Sequence, residues 1–154
     1  MPTGSNTKRD RAGGSTPEMI VLSREDAESY APTGREVCIS ISDPQAPPAR
    51  ISESFVAVLR LHFDDVVEST DPSDILFGAE HAREIDRFIE RWPDAERIVV
   101  HCNMGMSRSP GVALGLCDLR GWATAALERS HPGWNRLVRK KLVETGRAES
   151  GGAS

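Results

Sequence analysis

The chain has no apolar stretch approaching the roughly 18 residues that a transmembrane helix needs, and its first residues lack the apolar centre of a secretory signal. A soluble, cytoplasmic protein with no membrane partner is therefore expected. Positive charge is not in surplus: 19 Lys and Arg stand against 23 Asp and Glu, a formal net charge of −4. A nucleic-acid surface would need a basic face, so nucleic-acid binding is not expected. The short basic clusters Lys8-Arg9-Asp10-Arg11 and Arg139-Lys140-Lys141 read as a solvated tail and a helix face. Cysteine is scarce and odd in number, at three, which gives no disulfide framework. His62, His81 and His131 have no second His or Cys at metal-ligand spacing. Neither a metal nor another cofactor is expected, and nothing here bears on oligomeric state.

What is present fits one compact domain, with 154 residues, 38% hydrophobic and 27% charged. Segments 1–17 and 147–154, rich in Gly, Ser and charge, read as disordered tails around a domain at 18–146. Within it, strands are expected at Met19 to Leu22, Glu36 to Ser42, Val56 to Phe63 and Arg97 to His101. Ser23 caps a helical turn reaching Tyr30. Ala82, Ile85, Phe88 and Ile89 recur at helical spacing between Ala79 and Trp92. Further helices are expected from Ser109 through Cys117, at Thr124 to Arg129 and at Asn135 to Glu144. Alternating strands and helices of this kind predict an α/β fold: a single-domain, three-layer sandwich whose central, largely parallel sheet is flanked by helices. Cys38 and Cys117 fall on apolar positions and read as inert core thiols.

The segment richest in chemical meaning is His101-Cys102-Asn103-Met104-Gly105-Met106-Ser107-Arg108-Ser109, which joins the end of a short apolar strand to the start of a helix. A helix N-terminus leaves several N–H groups unpaired and carries about half a positive charge. Residues Asn103, Met104, Gly105, Met106 and Ser107 can therefore turn consecutive N–H groups on an anion, with Gly105 free to take φ > 0 or to approach other backbone closely. Arg108 adds a planar guanidinium able to hold two phosphate oxygens at once. In such a field a cysteine thiol titrates at roughly 3.5–7.5 rather than near 8.5, so Cys102 is expected to act as a thiolate nucleophile. Ser109 is placed to hydrogen-bond the sulfur, and His101 to orient the loop in a supporting role.

This His-Cys-x5-Arg-Ser run resembles the signature of the protein tyrosine phosphatase superfamily, and Gly105-Met106-Ser107-Arg108-Ser109 is closest to its dual-specificity branch. The resemblance spans about residues 19 to 145. It implies a dual-specificity phosphatase-like fold and metal-independent hydrolysis of phosphate monoesters through a phospho-cysteine intermediate. It also implies an aspartic acid on a separate loop, which protonates the leaving oxygen and then activates water.

Several aspartates compete for that role. Trp92-Pro93-Asp94 matches the tripeptide of the tyrosine-specific branch, but Asp94 stands only eight residues before Cys102, on the turn feeding the same strand. At about 3.3 Å per residue, that puts it roughly 20 Å away, at the wrong end of the sheet. Asp64 and Asp65 directly follow the Phe55 to Phe63 run, and parallel strands end on one side, where ligands bind in open α/β sheets. Asp65 is favoured because Val66 to Asp71 reads as a loop able to carry it over the site. Asp71, 31 residues before Cys102, fits the spacing of the resembling family better but precedes Pro72 in a turn, and Asp74 reads as a helix cap.

The resemblance also implies that a Pro-Asn segment supports the loop from behind. Here Gly133-Trp134 separates Pro132 from Asn135, and Asn135 reads first as a helix N-cap. The expected substrate is a phosphotyrosine protein or small aryl phosphate, because the loop brings none of the lysines that would meet the extra phosphates of a phosphoinositide. Two other classes compete with the enzyme: a catalytically silent phosphate-binding module, and a redox or sulfur-transfer protein, for which Cys117 would have to serve as resolving thiol.

Overall fold

The computed structural model describes residues 16–152. Four strands, β1 (Glu18–Leu22), β2 (Glu36–Ser42), β3 (Ala57–His62) and β4 (Arg97–His101), form one sheet in the order β1-β4-β2-β3. All three pairings are parallel. The helices are α1 (Arg24–Glu28), α2 (Ala79–Arg91), α3 (Arg108–Arg120), α4 (Ala125–Ser130) and α5 (Arg136–Gly152). No described helix is long and apolar enough to cross a membrane.

The register explains both the core and the site. Val37, Ile39 and Ile41 of β2 and Ile98 and Val100 of β4 alternate onto one face, where they meet Ala82, Ile85 and Ile89 of α2, Val112 and Leu116 of α3, and Val138 and Leu142 of α5. The opposite face holds Cys38, Phe55 and Val99, covered by Ile20, Leu22, Tyr30 and Ile51 from β1, the end of α1 and the connection after β2. The α/β layering read from the sequence is thus present, with most of the helical mass on one face. Central strands with both faces covered read as near-continuous apolar runs, and every residue of β2 is buried.

β2 and β4 are locked together at the edge away from the cysteine. Glu36, fully buried, accepts hydrogen bonds from Arg97, Tyr30 and the Thr33 and Gly34 amides. At the other end, β4 runs straight into the 102–108 loop and α3. α3 is apolar all round from Pro110 to Cys117, as expected of a helix enclosed by its neighbours.

α5 lies close against α3 because glycines leave room for it. A Cβ on Gly111 would stand 2.8 Å from the Asn135 carbonyl oxygen, and one on Gly115 2.8 Å from Leu142 Cδ2. The C-terminal boundary differs from expectation, since α5 continues to Gly152 and segment 147–152 is helical rather than a disordered tail. Gly146, beyond the expected helix end at Glu144, is buried where a side chain would collide with Leu119 of α3. Glu149 extends the contact with an ion pair to Arg83 of α2 at 3.6 Å. Residues 1–15 of the expected N-terminal tail, and 153–154, lie outside the described residues.

Candidate active site

The site is built where β4 ends. Cys102 is buried, its amide donating to the Leu22 carbonyl at 3.4 Å, so the β1 end props the start of the loop. The Asn103 carbonyl accepts from the Arg24 amide at 2.9 Å. Gly105 takes φ +75°, and a Cβ there would stand 2.7 Å from the Ser23 nitrogen and 2.9 Å from the Leu22 oxygen. Both demands fall on one residue that has no side chain. The Met104 and Met106 side chains point outward and are exposed.

Around the sulfur, the Gly105 amide donates to Cys102 Sγ at 3.3 Å, and Ser109 Oγ lies 3.1 Å from it. His101 sits below, fully buried. Its Nδ1 faces the Cys102 carbonyl at 3.1 Å, which can only accept, so Nδ1 carries the hydrogen and Nε2 accepts from Ser40 Oγ at 2.6 Å. Burial lowers the pKa of His101, in keeping with a neutral ring in one fixed tautomer.

Arg108, the first residue of α3, is buried with its guanidinium held from one side. Nη1 donates to Asp43 Oδ1 at 2.7 Å and to the Phe63 carbonyl at 2.9 Å. Nε is buried and meets no partner among the described residues. In a guanidinium, Nε–H and one N–H of Nη2 form the parallel fork that grips an oxyanion, so the tethered nitrogen is the one outside that fork.

The aspartates separate by position. Asp65 Oδ1 accepts from Ser107 Oγ at 2.7 Å and from Asn135 Nδ2 at 2.9 Å, which brings its carboxylate against the cysteine loop. Asp64 closes its own loop, with Oδ2 accepting from the Ile75 amide at 2.8 Å. Asp71 accepts from the Ser73 amide and hydroxyl in an exposed turn, and these bonds lower its pKa. Asp74 accepts from the Thr70 and Asp71 amides in the same turn. Asp94 pairs with Arg35 at 2.5 Å, before β4 starts and so at the sheet edge opposite Cys102. Pro93 follows the last residue of α2 by two positions.

Asn135 does more than cap a helix. Its Oδ1 accepts from the Val138 amide at 3.0 Å, the N-cap bond expected from the sequence. Its amide donates to the Ser107 carbonyl at 2.9 Å, which supports the loop through backbone, while the side-chain nitrogen reaches Asp65 and the Val66 carbonyl. A cleft of about 520 Å³ opens here, walled by Asp65, Ser107 and Asn135.

No family model matches the chain. No curated protein matches it either. Among solved structures, human DUSP28 aligns with 90% of this chain and 97% of its own, at 21% identity and a TM-score of 0.59. The chain has the dual-specificity phosphatase fold. Tk-PTP in its active form aligns with 84% of this chain and 93% of its own, at 21% identity and a TM-score of 0.55. A mouse putative dual specificity phosphatase complexed with zinc tungstate aligns with 78% of this chain and 74% of its own, at 23% identity and a TM-score of 0.52.

Within this phosphatase fold, sequence reasoning missed Asp43 and Ser40. Asp43 follows β2 directly, as Asp65 follows the strand beside it, so its signal was a carboxylate at the carboxyl end of a parallel strand. Ser40 carries no local signal, because it meets His101 only through the β2-β4 register. Cys38 and Cys117 are buried, and burial pushes their thiols up to about 12 and about 11. Among the described residues, no three His, Cys, Asp or Glu side chains converge to hold a metal ion.

Proposed function

We propose that the protein is a metal-independent phosphatase that hydrolyses phosphate monoesters, with phosphotyrosine proteins or small aryl phosphates as substrates. The observation that carries this reading is the buried, unpartnered Nε of Arg108 in the loop that also holds Cys102. A buried guanidinium N–H left without a partner costs free energy, and an oxyanion lying along its open fork would satisfy it.

The chemistry follows from the residues in place. The Cys102 thiolate attacks phosphorus, the bond from phosphorus to the ester oxygen breaks, and Asp65 gives that oxygen its proton. Water then attacks the phospho-cysteine as the Asp65 carboxylate takes a proton from it, and the S–P bond breaks to release phosphate and restore the thiolate. Loop amides and Arg108 balance the charge on the phosphoryl oxygens in both steps. Ser109, 3.1 Å from the sulfur, donates to the departing thiolate. His101 keeps the loop carbonyl in place. An obligate free thiol suits a reducing, cytoplasmic setting.

Asp65 at the loop favours turnover over silent phosphate binding. Cys38 and Cys117, neither poised as a thiolate, weigh against thiol exchange with Cys102. The deciding experiment is phosphate release from a phosphotyrosine peptide in the presence of a chelator, with Cys102→Ser and Arg108→Ala alongside. Release lost in both variants supports the reading. Absence of release from the unsubstituted protein, with tungstate still binding, would make it a silent phosphate-binding module.

A further inference from the structure

We infer that Asn135 is a positioning residue for the acid: it ties one oxygen of Asp65 to the start of α5, so that the proton donated to the leaving group sits on the other. The inference rests on the reading of Asp65 as the general acid. It goes beyond that reading by naming the group that aims the carboxyl and the oxygen that carries the proton.

Three bonds from one side chain make the argument. Asn135 Oδ1 accepts from the Val138 amide at 3.0 Å, and Nδ2 donates to Asp65 Oδ1 at 2.9 Å and to the Val66 carbonyl at 3.2 Å. An amide side chain whose oxygen caps a helix has only its nitrogen left, and both N–H bonds here go to consecutive residues of the acid loop. Asn135 itself is buried, with 3% exposure, so its side chain has little freedom to turn away. Its backbone also lies close on α3, since a Cβ on Gly111 would stand 2.8 Å from the Asn135 carbonyl oxygen. The acid loop is exposed through Glu68 to Ser73, so its own packing gives Asp65 no comparable anchor.

The consequence for proton transfer is stereochemical. Asp65 Oδ1 accepts two hydrogen bonds, from Ser107 Oγ at 2.7 Å and from Asn135 Nδ2 at 2.9 Å. Oδ2 accepts none among the described residues. An oxygen already accepting from two donors is the poorer site for a proton, so the protonated acid carries its hydrogen on Oδ2. Asn135 and Ser107 thereby set the rotation of the carboxyl about its own axis, and a misplacement of about 1 Å at such a group can cost up to 10²-fold in rate.

The test separates aiming from capping. Ser and Asp cap helices about as well as Asn, but Ser is too short to reach Asp65, and Asp offers it no N–H donor. Asn135→Ser is therefore expected to stay folded with its unfolding temperature lowered by only a few degrees, whereas Asn135→Asp sets a buried carboxylate against Asp65 and should unfold lower still. Their kcat/KM for a phosphotyrosine peptide should fall about tenfold. With 2,4-dinitrophenyl phosphate, whose leaving group needs no proton, the fall should be much smaller, and Asn135→Ser should cost nothing further in an Asp65→Asn background. If Asp65→Asn shows the leaving-group-dependent loss and Asn135→Ser loses equally on both substrates, or on neither, the positioning role is overturned and Asp65 stands. If Asp65→Asn shows no such dependence, the acid assignment fails and this inference fails with it.

Discussion

Asp43 Oδ1 lies 2.7 Å from Arg108 Nη1, so an aspartate directly after β2 holds the guanidinium by the nitrogen outside the fork of Nε and Nη2. Arg108 is almost wholly buried while half of the Asp43 side chain is exposed, and the pair leaves the Nε side of the guanidinium open. The tether both offsets a buried charge and sets the plane of the guanidinium.

Removing that tether should loosen phosphate binding more than it slows chemistry. Asp43→Ala is expected to raise KM for p-nitrophenyl phosphate about tenfold, because the guanidinium loses the contact that fixes its plane. Asp43→Asn, which can still accept from Nη1, should lie between. A change confined to kcat in steady-state kinetics would contradict this account of Asp43.

Asp65→Asn and Asp94→Asn should diverge. Loss of a general acid costs about 10²–10⁴-fold, so Asp65→Asn should reduce kcat/KM for a phosphotyrosine peptide by that order. Asp94 makes an ion pair with Arg35 in which both side chains are about half exposed, and such pairs contribute about 0–1 kcal/mol. Asp94→Asn should leave the rate unchanged. A damaging Asp94→Asn would overturn the placement of the acid.

Gly105→Ala tests the loop's shape. A residue with a Cβ at φ +75° costs about 1–2 kcal/mol from its own backbone, before the added atom meets the Ser23 nitrogen at 2.7 Å. A lower urea midpoint is expected, together with weaker tungstate binding in titration, because the loop amides must shift.

Ser109→Ala should slow the second half of the reaction. With no hydroxyl 3.1 Å from Cys102 Sγ, the thiolate leaves the phospho-enzyme less readily. Rapid mixing with p-nitrophenyl phosphate should then show a burst of p-nitrophenol followed by a slower steady rate. A slowed burst with no change in the later phase would refute this role.

Stability should fall on mild acidification. Burial lowers the pKa of His101, His81 and His131, so near their ordinary value of about 6.5 the unfolded chain binds more protons than the folded one. Stability is therefore full above about pH 6.5 and is lost as pH drops through the lowered folded values. Unfolding temperatures recorded between about pH 5 and 8 should show this decline. His101→Gln should flatten it, whatever the substitution does to stability at neutral pH.

Local patterning made much of the architecture legible. β2 and β4 have the bounds that their apolar runs predicted, because strands covered on both faces tolerate little polar interruption. Ser23 caps α1 as expected, its Oγ accepting from the Asp26 amide. α5 runs past its expected end at Glu144: the Gly-, Ser- and charge-rich residues that follow read as a tail, while the close packing of Gly146 on Leu119 shows only in the tertiary structure. Asp94 and Asp65 both sit in plausible motifs, yet one turn lies before a strand and the other loop after one, and in a parallel sheet those are opposite edges.

The sequence alone determined the cysteine loop: Cys102 and Arg108 are six positions apart, bracketed by a strand and a helix, and the positive φ falls on the glycine between them. Short segments of this kind are governed by backbone sterics and neighbouring residues. The partners that give the loop its chemistry come from much farther away, Ser40 across 61 positions, Asp43 across 65 and Asn135 to Asp65 across 70. Those meetings depend on strand order and on how closely α5 packs on α3. They arise from the summed burial of many side chains, so tertiary structure alone decided which carboxylate meets the loop and which side of the Arg108 guanidinium is left open.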